Sequence, residues 1–492
     1  MLAITALLIG ILPLTTASPL SKKAIIDDCL AAAGVPYNQK DSAQWALDGA
    51  PFNVRIPFVP VSIAVPLTTA HIQSAVNCGR DNGAKVTPKC GGDSYANFGF
   101  GGEDGHLMLE LDRMYNVTLD GASGIATVQG GARLGHVASI KLYNQGGKAI
   151  SHGTCPGVGS AGHVLHGGYG MSSHTKGLAL DWLVGATVVP ANGTVVTASA
   201  SQNPELFWAL KGAGSSMGVV PELRFKTFDA PARATNFLAA LQWTDARKAG
   251  DGFKILQEWV AAGGMPRELN MRLFVTPRFA NLEGMFYGDK AGLQAVIDPL
   301  LARLGGRLTT AQTTDWFGNL QHFGNGLALD QNTPDHKQQE NFHSSSLYTN
   351  TLSDAEIASF VSYWHGPGKA QKRDWFVQVD LHGGPNSAVA EEPSNSSAYA
   401  HRDKLLLWQF YDRVDLSATY PSDGFAFLGG FVTSNGAGDG GMYFNYPDPN
   451  LGQDEAQARY WGGNLARLRR VKADVDPEEV FYFPQSVRPA SG

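Results

Sequence analysis

The stretch from Ser151 to Gly170 constrains this chain most, because seven of its twenty residues are glycine. Glycine has no Cβ, so main-chain N–H groups there come close to a bulky ligand. Cys155, one of only four cysteines in the chain, stands in this loop. A cysteine so placed is a disulfide half, a thiolate nucleophile or the anchor of a bound group.

A second glycine loop runs from Lys89 to Gly102. It follows an apolar run at 58–65, a predicted helix over 71–82 and a strand at 85–87. That order predicts a turn whose backbone N–H donors cradle a phosphate. The loop carries neither G-x-G-x-x-G nor a Walker pattern, which excludes a Rossmann or P-loop reading. Strands at 106–111 and 126–129, a helix near 134–144 and a hairpin over 182–198 turning on Asn192-Gly193 follow. A short helix at 204–210 leads to a third flexible loop, Gly212 to Ser216.

After Asp229-Ala-Pro231 the glycine loops thin out. Alternating strands at 237–243, 269–275, 375–381 and 405–411, with helices at 253–262 and 291–304, predict a second domain with an antiparallel sheet. A helix over 454–472 and the tail at 476–481 are expected to return to the first domain. The division expected is a leader at 1–17, a first domain at 18–228, a second at 229–446 and the C-terminal return at 447–492. A length of 492 residues agrees with more than one core.

The apolar run Leu2–Leu14 is too short to span a bilayer and is broken by Pro13. Thr15 and Ala17 fit a signal-peptidase site before Ser18. A secreted, extracellular protein is expected, with glycosylation at the sequons of Asn116, Asn192 and Asn395. A net charge of −6 gives no footprint for nucleic acid or an anionic membrane surface. Four cysteines allow three pairings. A helix–helix cross-link of Cys29 with Cys78 is favoured, leaving Cys90 and Cys155 without assigned partners. No metal site is expected.

Three loops together resemble the berberine-bridge-enzyme-like flavoproteins of the vanillyl-alcohol-oxidase fold class. They are Lys89–Gly102, Gly153-Thr-Cys155-Pro with Gly162-His163 and Gly167–Gly170, and Asp476-Pro through Phe481 to Gln485-Ser. Phe100–Met114, Trp408–Asp412 and Tyr443–Tyr446 are most similar to the fungal oligosaccharide oxidases. The resemblance implies an α+β, two-domain, PCMH-type FAD-binding fold with an antiparallel-sheet substrate domain. It implies FAD, with its pyrophosphate on Lys89, Cys90, Gly91, Gly92, Asp93, Ser94 and Gly99. Thr154, Gly159, Ser160, Gly162, His163 and Val219 complete the expected cofactor contacts. Cys155 matches the family cysteine that bonds flavin C6.

The family's Gly-Gly-His-Ser pattern has a histidine that bonds the flavin 8α-methyl, and here that position is Asp93. A single covalent link, through Cys155, is expected. Cys90 replaces a glycine in the pyrophosphate loop. Ser160 and Ala161 stand at the site associated with oxygen access, and His166 stands where relatives have glycine.

The resemblance makes Tyr446 the group that takes the proton from the substrate hydroxyl while hydride passes to flavin N5, with Asp380 its carboxylate partner. A phenol with an ordinary pKa near 10 needs such help near neutrality. Gln378 and Asp380 share one strand face, and Gln409 and Tyr95 are further candidates for holding sugar. Phe274 occupies a position where sugar-oxidising relatives carry Glu or Gln, and Phe376 one where a relative has Trp. The expected reaction is oxidation of the C1 hemiacetal of an oligosaccharide to a lactone, with O2 as acceptor and H2O2 as product. The alternatives are an oxidase or dehydrogenase of an apolar alcohol, which Phe274 favours, and a flavin-binding protein with lost activity.

Overall fold

A computed structural model describes residues 21–331, 338–436 and 440–491; the expected leader at 1–17 lies outside them. Ser21 and Thr68 cap the helices Lys22–Ala32 and Thr69–Asp81 with their hydroxyls. A disulfide between Cys29 and Cys78, Cα to Cα 5.8 Å, joins the two helices. Behind them, three short parallel strands pair in the order Ser62–Ala64, Leu107–Glu110, Val86–Lys89.

A five-stranded antiparallel sheet follows, in the order Val117–Leu119, Ile125–Gln129, Val219–Lys226, Leu183–Val189, Val196–Ser199. The hairpin between the last two turns at Asn192-Gly193, where Gly193 has a φ of +74°. The chain's end returns to this part: Val86 N donates to Val480 O and Lys85 Nζ to Glu479 O.

Residues 234–414 form a seven-stranded antiparallel sheet. Its order is Gly306–Thr314, Ala234–Leu241, Ala280–Phe286, Leu269–Val275, Asp374–Leu381, Leu406–Val414, Asn341–Thr349. Alternation sends Leu273, Val377, Val379, Trp408 and Phe410 into a core with the helices Ala246–Ala261, Lys290–Leu304, Asp354–Tyr363 and Asp423–Ser434. The opposite face carries Arg272, Phe274, Gln378, Asp380 and Gln409 toward a cavity.

The elements differ from expectation in three ways. The helix expected over 454–472 is two, Gln453–Trp461 and Leu465–Val475, broken where Gly462 takes a φ of +44°. The segment His136–Tyr143 is a π-helix. The sheet has three strands more than the sequence pattern shows. Gly306–Thr314 is a polar edge strand, and Asn341–Thr349 hides a serine run among buried residues. Those serines bond the main chain, Ser344 Oγ to Pro447 O at 3.0 Å and Ser346 Oγ to Tyr443 O at 3.3 Å.

Candidate active site

A cavity of about 680 Å³ lies between the three glycine loops and the open face of the seven-stranded sheet, within the usual range for ligand sites. At one end the two glycine loops touch backbone to backbone. A methyl group on Gly91 would sit 2.4 Å from Gly159 N, and one on Gly159 2.3 Å from Gly91 N. Only glycine permits that approach, and it leaves bare main chain as the cavity wall. Gly91, Gly92, Asp93, Ser94, Gly99, Thr154, Cys155, Gly159, Gly162 and His163 all line it, as does Cys90.

Three expected cofactor contacts point elsewhere. Lys89 is buried in an ion pair with Glu110 and donates to Asp48 O. With Asp112 nearby, three carboxylates converge on that one ammonium. Ser160 Oγ donates to Ala132 O at 2.7 Å, so its hydroxyl is turned from the cavity and Ala161 presents its methyl instead. Val219 is in a hydrophobic core, and its neighbours Gly218 and Val220 line the wall.

Cys155 is exposed to the cavity as a free thiol, and burial of its surroundings holds that thiol above the ordinary pKa. Cys90, also free, is pushed up to about 11 by burial. Asp93 faces Arg133, Oδ2 to Nη1 3.5 Å, and Arg133 also donates to Gly157 O. His163 Nε2 accepts from Gly153 N at 2.8 Å, and burial holds this imidazole neutral with a pKa of about 3. His166 is likewise neutral through burial, at about 4. Its ring stacks on Phe444 at 4.0 Å, and its two nitrogens bond Gly162 O and Ser215 Oγ. It thereby ties the Cys155 loop, the third glycine loop and the segment before Tyr446 together.

The sheet face is ordered in rows across the strands. Strand register puts Arg272 opposite both Glu283 and Asp380. The next row holds Asn281, Phe274, Gln378 and Gln409. Burial opposes the charge of Arg272, but Glu283, 2.5 Å away, and Asp380 outweigh it and raise its pKa. Burial lifts Asp380 to about 6 against the pull of Arg272 and of Gln378, whose Nε2 donates to Asp380 Oδ2 at 2.9 Å. Tyr446 stacks on Tyr95 at 5.8 Å and meets Tyr443 edge-on at 5.0 Å. Burial first, then the Asp380 charge, raises its phenol well above the ordinary value, so it rests protonated. Gln409 Nε2 donates to Tyr95 Oη at 3.0 Å.

Arg272, Glu283 and Asn281 were not singled out in the sequence. Neither was Tyr443, whose hydroxyl accepts from Gly168 N and Tyr169 N and so fixes the glycine loop beside Tyr446. Only the Tyr-Phe-Asn-Tyr motif at 443–446 hints at Tyr443; the others emerge from register.

Residues 60–199 match the FAD binding domain family, and residues 442–488 match the berberine and berberine-like family. The xylooligosaccharide oxidase of Thermothelomyces thermophilus is 49% identical over 480 residues, covering 96% of each chain. The chain belongs to the berberine-bridge-enzyme-like family. This family member therefore has the PCMH-type, two-domain α+β fold, binds FAD and is an oxidoreductase of CH–OH groups. Its structure superposes on a xylooligosaccharide oxidase from Myceliophthora thermophila C1 in complex with xylobiose with a TM-score of 0.93, at 48% identity. That match covers 95% of this chain and 100% of the other. A glucooligosaccharide oxidase from Acremonium strictum matches with a TM-score of 0.92 at 44% identity, over 95% of this chain and 100% of that one, and carries a 6-S-cysteinyl, 8α-N1-histidyl FAD.

The residues present fit the cofactor. Gly91, Gly92 and Gly159 present bare main chain to the cavity, a wall suited to a pyrophosphate, and a side chain at Gly91 or Gly159 would force the two loops apart. Cys155 opens a free sulfur into the same cavity.

Proposed function

We propose that this protein is a secreted FAD-dependent oxidase of oligosaccharides, acting at the C1 hemiacetal of the reducing end. The observation that carries this reading is the meeting of Tyr446, Asp380 and the amide row on one cavity wall opposite Cys155 and the glycine loops. FAD, held by Cys155 and the glycine loops, would supply the two-electron acceptor for the C1 hydride and the route to dioxygen.

The protein's part is to hold the sugar and move a proton. Gln378 and Gln409 offer amides to the ring hydroxyls, beside the Tyr95 ring. Tyr446 takes the hydroxyl proton. It can do so only by handing its own to Asp380, whose pKa of about 6 leaves it mostly ionised at neutral pH yet able to accept. Arg272, opposite Asp380 on the neighbouring strand, favours the ionised carboxylate that receives the proton. Loss of the C1 hydride with that proton leaves the lactone.

We assign FAD a single covalent link, through Cys155, because Asp93 is engaged with Arg133. Two features support secretion, the leader-like segment at 1–17 and the disulfide; the asparagines of all three sequons are exposed as well. The ready experiment is aerobic turnover of reducing oligosaccharides with peroxide and lactone counted together. One peroxide per lactone is expected, and lactone without peroxide would remove dioxygen as the acceptor.

A further inference from the structure

Beyond the amide row the sheet face turns apolar in an ordered way. Phe376 and Tyr411 are register partners, and Phe376 lies two residues before Gln378 on its strand, on the side away from Asp380. Phe274 stands within the amide row itself, opposite Asn281 on one side and Gln378 on the other. The rings form a continuous pile. Phe279 to Phe274 is 6.4 Å, Phe274 to Phe376 4.9 Å, Phe376 to Tyr411 4.9 Å and Tyr411 to Phe342 4.5 Å, with interplanar angles of 13° to 26°.

That stacking decides what the pile offers a ligand. The ring faces of Phe376 and Tyr411 are used against their neighbours, so the C–H edges are what remain. Ring edges are the positive part of the aromatic quadrupole and favour the face of another aromatic ring. The one hydroxyl in the pile is tied off, Tyr411 Oη to Glu340 Oε2 at 2.5 Å. Phe274, Phe279 and Phe376 line the cavity, and Phe279 is 45% exposed at its mouth. Phe376 lies four residues from Asp380, about 14 Å along an extended strand. That is farther than one sugar ring reaches, so Phe376, with Phe274 stacked on it and Phe279 beyond, meets the second sugar and whatever it carries.

We propose that Phe274, Phe279 and Phe376 form an outer subsite for an aryl substituent on the second sugar of the substrate, so that aryl-capped oligosaccharides are the preferred class. The inference rests on the oligosaccharide reading and names a class within it. No hydrogen-bonding side chain of the pile is left to reward a bare hydroxyl at this position, and an aromatic ring there gains both apolar burial and edge-to-face contact.

Binding separates this inference from turnover. The holoenzyme is titrated, following the flavin absorbance, with 1-deoxycellobiose, which cannot be oxidised at C1, and with its 4′,6′-O-benzylidene derivative. The benzylidene sugar is expected to bind about tenfold tighter, about 1.4 kcal/mol. Phe274→Gln and Phe279→Gln are each expected to bring the ratio close to one. Phe279 is at the surface, so its variant keeps the test open if the Phe274 variant does not fold. Equal affinities in the unsubstituted protein, no binding of either sugar, or a ratio that survives both substitutions would overturn the proposal. Oxidation of free cellobiose under the same conditions reports on the proposed function alone, whatever the ratio.

Discussion

Asp93 and Arg133 face each other across the cavity end at 3.5 Å, carboxylate to guanidinium, with Arg133 only 3% exposed at its side chain. A buried ion pair is costly to break, because removing one partner strands the other charge. The carboxylate that the family resemblance places at the flavin-bonding histidine's position is thus already engaged. Peptide mass spectrometry should find flavin on the peptide containing Cys155 and nowhere else, and Cys155→Ser should release all FAD on denaturation. FAD attached within residues 89–102 would contradict the single link.

Tyr446 lies between Tyr95 and Tyr443, its phenol kept protonated by burial and by Asp380. Loss of the proton acceptor should slow flavin reduction by about 10²- to 10⁴-fold. Stopped-flow reduction of Tyr446→Phe checks this, with FAD content expected to match the parent. Unchanged reduction would remove Tyr446 from proton transfer.

Asp380 must be ionised to receive the proton, so kcat/KM should rise with pH through about 6 and level off above it. Asp380→Asn should lose that limb together with most activity. The same raised pKa has a stability consequence of definite sign. The folded state binds more protons than the unfolded state between about 4 and 6, so stability falls as pH rises through that window. Asp380→Asn should therefore melt higher than the parent at pH 7, with the gap closing below pH 4. A site residue that costs stability for function is the expected trade.

Cys29 and Cys78 close a loop of 49 residues. Loop-closure entropy makes that cross-link worth about 4 kcal/mol. The double alanine variant should show a loss of that order in denaturant unfolding, with the flavin site spectroscopically unaltered in the folded protein. A loss under 1 kcal/mol would mean that the unfolded chain is already restricted there.

Much of the site was legible because its chemistry sits in loops. Cys155, Gly91, Gly92 and Gly159 stand out by residue type alone, since few other roles need glycines so closely spaced around a cysteine. What register creates was not legible. Arg272 is one arginine in an alternating strand until pairing sets it opposite Glu283 and Asp380. The serine run of Asn341–Thr349 carries no apolar alternation to mark a strand, yet it is a buried strand whose hydroxyls hold the segment before and after Tyr446. Lys89 looked like a phosphate ligand from its place in the loop. Its partner Glu110 lies on the adjacent parallel strand, a relation that only the fold reveals.

The most direct measurement is anaerobic mixing of the purified holoenzyme with reducing oligosaccharides, followed by readmission of air. Flavin absorbance should bleach with the oligosaccharide and return with oxygen as peroxide forms. Bleaching only by apolar alcohols, or no bleaching with any reducing sugar, would contradict oligosaccharide oxidation by this protein.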